Sequence, residues 1–240
     1  MGTKKLPLQT YGVLDPRVER TTIEADHTEL SKRGWQLFTT EASNAEDITS
    51  VMGAIGDRLG ARAVGRARAI QEVIQPVAAG QAHARSLSAK FGLGEFPLHV
   101  ELSHRPRPCR YVLLGCIDPG VPSTATRLIN WRELGFSAEE RDALTSAPIL
   151  VNTGRRSFYA TLLSQEHGFL RFDPGCIEAV DKRGQEAIQI VADLLACAIP
   201  HEHSLIQGEI LLIDNWVTLH GRGPTAANTG RQLARILIDG

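Results

Sequence analysis

Three residues in this chain have the types and spacing for metal chemistry. His99 and Glu101 stand two apart in Leu98-His99-Val100-Glu101, and His220 lies far downstream in Leu219-His220-Gly221-Arg222. Two imidazoles and one carboxylate can occupy one face of an octahedral ion and leave the other face open, which suits non-haem Fe(II) and oxygen chemistry. Alone, the H-x-E pair is weak evidence, because a histidine on a half-buried strand is more often structural. Its surroundings raise its value. The pair follows Ser86 to Pro97, a segment with two glycines and a proline that can run close to a ligand or fold over it. His220 comes after an apolar strand, in what reads as a T-L-H-G-R turn where a core histidine is unexpected. Arg231 follows at the start of the next strand.

The elements that must position these residues read mostly as short strands. Gly34 to Thr40 alternates and is rich in β-formers; Arg110 to Ile117, Thr124 to Ile129, Glu209 to Asp214 and Gln232 to Ile238 are further strand-like runs. Shorter strands are expected at Ile149 to Val151, Phe158 to Leu163 and Leu170 to Phe172. Three helices interrupt them. Ser43 or Asn44 caps one, with Ile48, Val51, Met52, Ile55 and Leu59 on one stripe; Ser137 to Glu140 is a capping box; and Asp181 to Ala198 is amphipathic and stopped by Pro200. Leu6 to Asp26 reads as an edge strand and loop, Ala69 to Pro76 as either helix or strand, and Gly80 to Arg85 as a loop. The sum is a mainly β chain with flanking helices, a jelly-roll or cupin-like barrel, read as one domain over residues 1–240 because no linker or repeat divides it.

Composition excludes some partners. A formal net charge of -1 gives no electrostatic reason to expect nucleic acid or an anionic membrane. No apolar run reaches membrane-spanning length and no signal-like segment follows Met1, so the expected compartment is the cytoplasm. The four cysteines, Cys109, Cys116, Cys176 and Cys197, form no C-x-x-C pair and read as reduced, mostly core thiols.

The chain resembles the TauD/TfdA branch of the Fe(II)/2-oxoglutarate-dependent oxygenases, and within it the clavaminate-synthase-like enzymes. The resemblance is carried by F-P-L-H-V-E-L-S-H, R-P-C-R-Y-V-L-L-G-C, the Thr126 strand, L-R-F-D-P-G-C, and G-E-I-L-L-I-D-N-W-V-T-L-H-G-R with R-Q-L-A-R after it. It implies a double-stranded β-helix in which His99, Glu101 and His220 hold Fe(II). It also implies that Arg231 makes a forked pair with the distal carboxylate of 2-oxoglutarate, with Thr126 adding a hydroxyl to the same group. Arg235, four residues on and on the same strand face, then points toward the pocket and is a candidate for a substrate carboxylate. His104 and Arg171 lie in segments that border the pocket in relatives and are further substrate candidates.

The implied reaction consumes O2 and 2-oxoglutarate, releases succinate and CO2, and hydroxylates or desaturates an unactivated C–H bond. Glu101 keeps the ligand set complete, whereas halogenating relatives carry a non-ligating residue there. By analogy with the branch that has Glu at this position, the implied substrate is a small polar, amino-acid-derived molecule in specialised metabolism. The competing reading is a non-oxidative cupin-type isomerase or binding protein, which has no need of Arg231 and Thr126 at that spacing. Asp214-Asn215 reads as turn chemistry and His201-Glu202-His203 as a solvated loop. The chain is shorter than many relatives, so substrate selection is expected to rest on Gly80 to Pro97 and on residues near Arg155-Arg156. A short pocket wall leaves room for a carrier-tethered substrate or for a partner subunit in a homo-oligomer.

Overall fold

The structure is a computed structural model that describes residues 27–65, 69–84, 86–154 and 156–240. The edge strand expected over residues 6–26 lies outside the described residues, as does Arg155. In chain order the elements are α1 (His27–Arg33), β1 (Trp35–Thr39), α2 (Ala45–Leu59), β2 (Ala61–Ala63), β3 (Gln71–Ile74), α3 (Leu87–Phe91), β4 (Phe96–His99), β5 (Tyr111–Asp118), β6 (Thr126–Asn130), α4 (Ala138–Ser146), β7 (Ile149–Val151), β8 (Phe158–Ala160), β9 (Ile177–Ala179), α5 (Lys182–Cys197), β10 (His201–His203), β11 (Glu209–Asp214), β12 (Thr218–Arg222) and β13 (Gln232–Asp239).

Two antiparallel sheets carry the site. The larger runs β1-β11-β5-β13-β2, with β3 also pairing β13; the smaller runs β10-β6-β12-β4. A third, β8-β7-β9, lies to one side. Period-two alternation on the larger sheet separates two apolar layers. Val112, Leu114 and Cys116 of β5, Leu211 and Ile213 of β11, and Leu233 and Leu237 of β13 pack inward with Leu128 of the smaller sheet. Their neighbours Tyr111, Leu113, Ile210, Leu212, Ala234, Ile236 and Ile238 pack outward on α2. On β13 that parity sends Arg235 inward with Leu233 and Leu237. The chain is thus the expected mainly β barrel with helices outside it.

Helix α2 starts where the sequence indicated. Asn44 Oδ1 accepts the Asp47 backbone N–H at 2.9 Å, and Ile48, Met52 and Ile55 are buried on the sheet. Burial of each such side chain contributes about 1.5–3 kcal/mol. Gly115 on β5 makes the close fit possible, since a Cβ there would lie 2.4 Å from Met52 Sδ. The capping box at Ser137 and the Asp181 cap of α5 also form. On the opposite side, α5 buries Ala187 and Val191 in a cluster with Leu144, Ile149, Leu162 and Leu219.

Several local expectations are corrected. Residues 218–222 are not a turn but strand β12, paired with β4 on one side and β6 on the other. The His201 segment is not a solvated loop: it forms β10, with His203 Nε2 2.8 Å from Glu209 Oε2 and His201 stacked on Trp35. Ala69 to Pro76 resolves as strand β3. Helix α1 was not anticipated. Cys109, Cys116 and Cys176 are buried free thiols, and Cys197 is free and exposed. Among the described residues no helix is long and apolar enough to cross a membrane.

Candidate metal centre

Strand pairing brings the two histidines together. His220 is opposite His99 in the β12–β4 register, and their ring centroids are 4.5 Å apart. The register shifts between His220 and Arg222, and Gly221 sits at that irregularity. A Cβ on Gly221 would fall 2.6 Å from the Phe96 carbonyl oxygen, so only glycine lets the strands approach this closely. Glu101 is not on the strand, as the sequence suggested, but in the turn just past it. One donor atom each from His99, Glu101 and His220 lies within 4.8 Å of the others.

The surrounding groups prepare these side chains for a cation. His99 Nδ1 lies 3.0 Å from the Pro97 carbonyl oxygen, which as acceptor places the ring proton on Nδ1 and leaves Nε2 to ligate. His220 Nδ1 is buried with no hydrogen-bond partner. Burial, with His99 beside it, pushes the His220 imidazole down to about 3 and so keeps it neutral. Burial alone would raise the Glu101 carboxyl, but Arg235 and the two imidazoles bring it down to about 2. Arg235 Nη1 donates to Glu101 Oε2 at 2.7 Å, leaving the other carboxylate oxygen for an ion. Two imidazoles, a carboxylate fixed in its charged state and an orphaned ring nitrogen fit a divalent metal.

A cavity of about 690 Å³ opens on this cluster and is also lined by Thr126, Arg231, Arg235 and His104. Arg231 is 7% exposed, and among the described residues its guanidinium makes one long hydrogen bond, Nη2 to Thr126 Oγ1 at 3.4 Å. Among the described residues it makes no ion pair. A buried guanidinium without a counter-ion is costly, because buried charges are otherwise paired. Burial lowers its proton affinity from the ordinary value, and the nearby Arg222 adds to the positive potential. The Thr126–Arg231 corner is therefore built to receive an anion.

The substrate candidates separate. Arg235 lies in the cavity wall but is already paired, with Glu101 and with Glu72 of β3. His104 borders the cavity. Arg171 does not: it is 2% exposed, and its guanidinium donates to the carbonyls of Ser103, Arg105 and Pro106. It clamps the turn after Glu101 from below. The segment from Gly80 to Pro97 reaches the cavity through His83, Ser86, Ser88 and Phe96, whereas Arg156 is not among its lining residues. Sequence reasoning missed Glu72 and Asp173, both in the wall, and Asn215 beneath Glu101. Asp173 sits in the L-R-F-D-P-G-C run already quoted for the resemblance, which is the signal that could have found it.

The fold is a double-stranded β-helix of the jelly-roll class, with two histidines and a carboxylate that could hold a metal ion converging beside a buried arginine. Residues 120–237 match the family described as taurine catabolism dioxygenase TauD, TfdA family, so the resemblance to TauD/TfdA is borne out over that stretch. An L-lysine 3-hydroxylase of Catenulispora acidiphila is 30% identical over 178 residues, covering 65% of this chain and 49% of the relative. The chain thus spans about half the length of that curated relative. Among solved structures, asparagine oxygenase (AsnO) superposes with a TM-score of 0.71 at 18% identity, covering 88% of this chain and 75% of that one. The non-haem iron oxygenase OrfP in complex with Fe and alpha-ketoglutaric acid gives 0.70 at 18%, covering 88% and 77%. At these identities the two structures establish the shared fold.

Proposed function

We propose that the chain is an Fe(II)- and 2-oxoglutarate-dependent oxygenase of the clavaminate-synthase-like branch that hydroxylates an amino acid or a derivative of one. The observation that carries this reading is Arg231, buried and without a counter-ion among the described residues, in the same cavity as the His99–Glu101–His220 cluster. A non-oxidative cupin has no use for a buried cation there. The relatives support the substrate class: one is named a lysine 3-hydroxylase, and an asparagine oxygenase structure is described in complex with Fe(II), 3-hydroxyasparagine and succinate.

In this reading His99, Glu101 and His220 hold Fe(II), and Arg231 with Thr126 takes the distal carboxylate of 2-oxoglutarate. With O2, the bound metal and cosubstrate supply the oxidising power to break a C–H bond, with release of succinate and CO2. Arg235 keeps Glu101 ionised and oriented. Its other guanidinium contacts go to Glu72, and β3 with His83, Ser86 and Ser88 forms part of the cavity wall. Arg171 supports the turn rather than the substrate. We read residues 1–240 as one oxygenase domain working in the cytoplasm on a small molecule, free or carrier-tethered, alone or as a homo-oligomer.

The test is succinate formation from 2-oxoglutarate with Fe(II), O2 and a panel of free and carrier-bound amino acids. The expected result is substrate-stimulated succinate release that disappears in His99→Ala and Glu101→Ala. Absence of both 2-oxoglutarate binding and turnover, coupled or uncoupled, would sink the proposal.

A further inference from the structure

Glu101 has an unusual backbone situation for a metal ligand. Strand β4 ends at His99, so the peptide of Glu101 has no ladder partner, and the next residue, Leu102, has φ 57°, a left-handed conformation that branched side chains rarely adopt. Something must over-determine this turn if the carboxylate is to stay in place.

That group is the side chain of Asn215, which is fully buried. Its Oδ1 accepts the Glu101 backbone N–H at 2.7 Å, and its Nδ2 donates to the Glu101 carbonyl at 3.0 Å and to the Cys109 carbonyl at 2.8 Å. A carboxamide has the donor and acceptor geometry of a peptide unit, so the Asn215 side chain serves the Glu101 backbone as a neighbouring strand would. It does so from the link between β11 and β12. Its own backbone N–H donates to the Arg110 carbonyl at 2.7 Å, and the adjacent Trp216 Nε1 donates to the Pro108 carbonyl at 3.1 Å. Strand β12, which begins three residues later, carries His220. The clamp therefore locks Glu101 to the link that leads from β11 into the strand presenting His220, although the two ligands are remote in sequence.

We propose that Asn215 is a positioning residue for the metal centre, setting the place of the Glu101 carboxylate relative to His220 through the Glu101 peptide. This rests on the metal reading above and adds a role for an Asp-Asn pair that otherwise reads as turn chemistry. The neighbouring Asp214 has the turn role: its Oδ1 accepts the Trp216 N–H at 3.1 Å.

The test is anaerobic titration of the full chain with Co(II), read by its visible absorption, in wild type, Asn215→Asp, Asn215→Ala and Asn130→Ala. Asn215→Asp keeps an acceptor for the Glu101 N–H but sets an oxygen against two carbonyls. Asn130 is a comparably buried amide that bonds the Lys32 and Arg33 carbonyls and does not touch Glu101, so its variant controls for lost stability. Both Asn215 variants are expected to bind Co(II) about 10- to 100-fold more weakly, as for removal of groups that orient metal ligands, and with an altered absorption spectrum at saturation. Asn130→Ala is expected to melt earlier yet keep wild-type affinity and spectrum. If Asn215→Ala does not fold, Asn215→Asp decides. Wild-type affinity and spectrum in the folded Asn215 variants overturn the clamp alone. Failure of the wild type to bind Co(II), or binding indifferent to Glu101→Ala, overturns the metal reading and the clamp with it.

Discussion

At the scale of single residues, the centre depends on charges held in chosen states. His220 is neutral when folded because burial depresses it from 6.5 to about 3. Its unfolded counterpart takes up a proton below about 6.5, so the unfolded state binds more protons through the window from 6.5 down to 3, and stability falls as pH falls there. Metal-free protein is therefore expected to lose melting temperature progressively below pH 6.5, and His220→Gln is expected to flatten that part of the curve. Identical pH profiles for the two proteins would refute the assignment. Glu101 works in the same direction over a lower window: its carboxyl, held down from 4.5 to about 2, stabilises the fold at neutral pH, and that contribution is lost as pH falls from about 4.5 to about 2. The residue types are legible in the chain itself: His99, Glu101, His220, Thr126 and Arg231 stand out by type and spacing or by resemblance, and all five line one cavity. Asn215 does not stand out, because its value comes from a hydrogen bond to a peptide remote in sequence, and its neighbours spell an ordinary turn.

At the scale of elements, strong periodicity was readable and short polar pieces were not. Strands β5, β11 and β13 are long apolar runs, and α2, α4 and α5 announce themselves through caps and stripes. Strand β10 is a polar His-Glu-His following a proline; only its pairing with β6, the Glu209 contact and the stack on Trp35 make it a strand. Strand β12 reads as a turn in the sequence because Gly221 looks like a breaker, whereas its role is to let β12 lie against β4. Gly221→Ala is expected to force β4 away from β12, costing about 1–3 kcal/mol as for other overpacked sites. Co(II) affinity is expected to drop with it as His99 moves from His220. Gly223→Ala, where a Cβ meets nothing within 4 Å, is the matched control and is expected to change neither. Equal melting temperatures for the two variants would contradict this role for Gly221.

At the scale of the whole molecule, the barrel is a scaffold whose two sheets each contribute half of the site. The smaller sheet brings His99, His220 and Thr126; the larger brings Arg235 on β13, with Arg231 at its entrance. A ligand bridging them ties the sheets together. Ligands bind the folded state alone, so metal and 2-oxoglutarate at 100 times their dissociation constants are expected to add about 2.7 kcal/mol each, about 5–10 °C in melting temperature for a chain of this size. Differential scanning fluorimetry checks this, and 2-oxoglutarate is expected to stabilise more with metal present than without. The most direct measurement is calorimetric titration of 2-oxoglutarate into Mn(II)-loaded wild type and Arg231→Ala without oxygen. The expected result is one site in the wild type and a loss of about 2–5 kcal/mol in the variant, roughly 30- to 4,000-fold in Kd, because the carboxylate loses its buried partner. Unchanged affinity in a folded Arg231→Ala protein, or no binding to the wild type, would contradict the assignment of this cavity to 2-oxoglutarate.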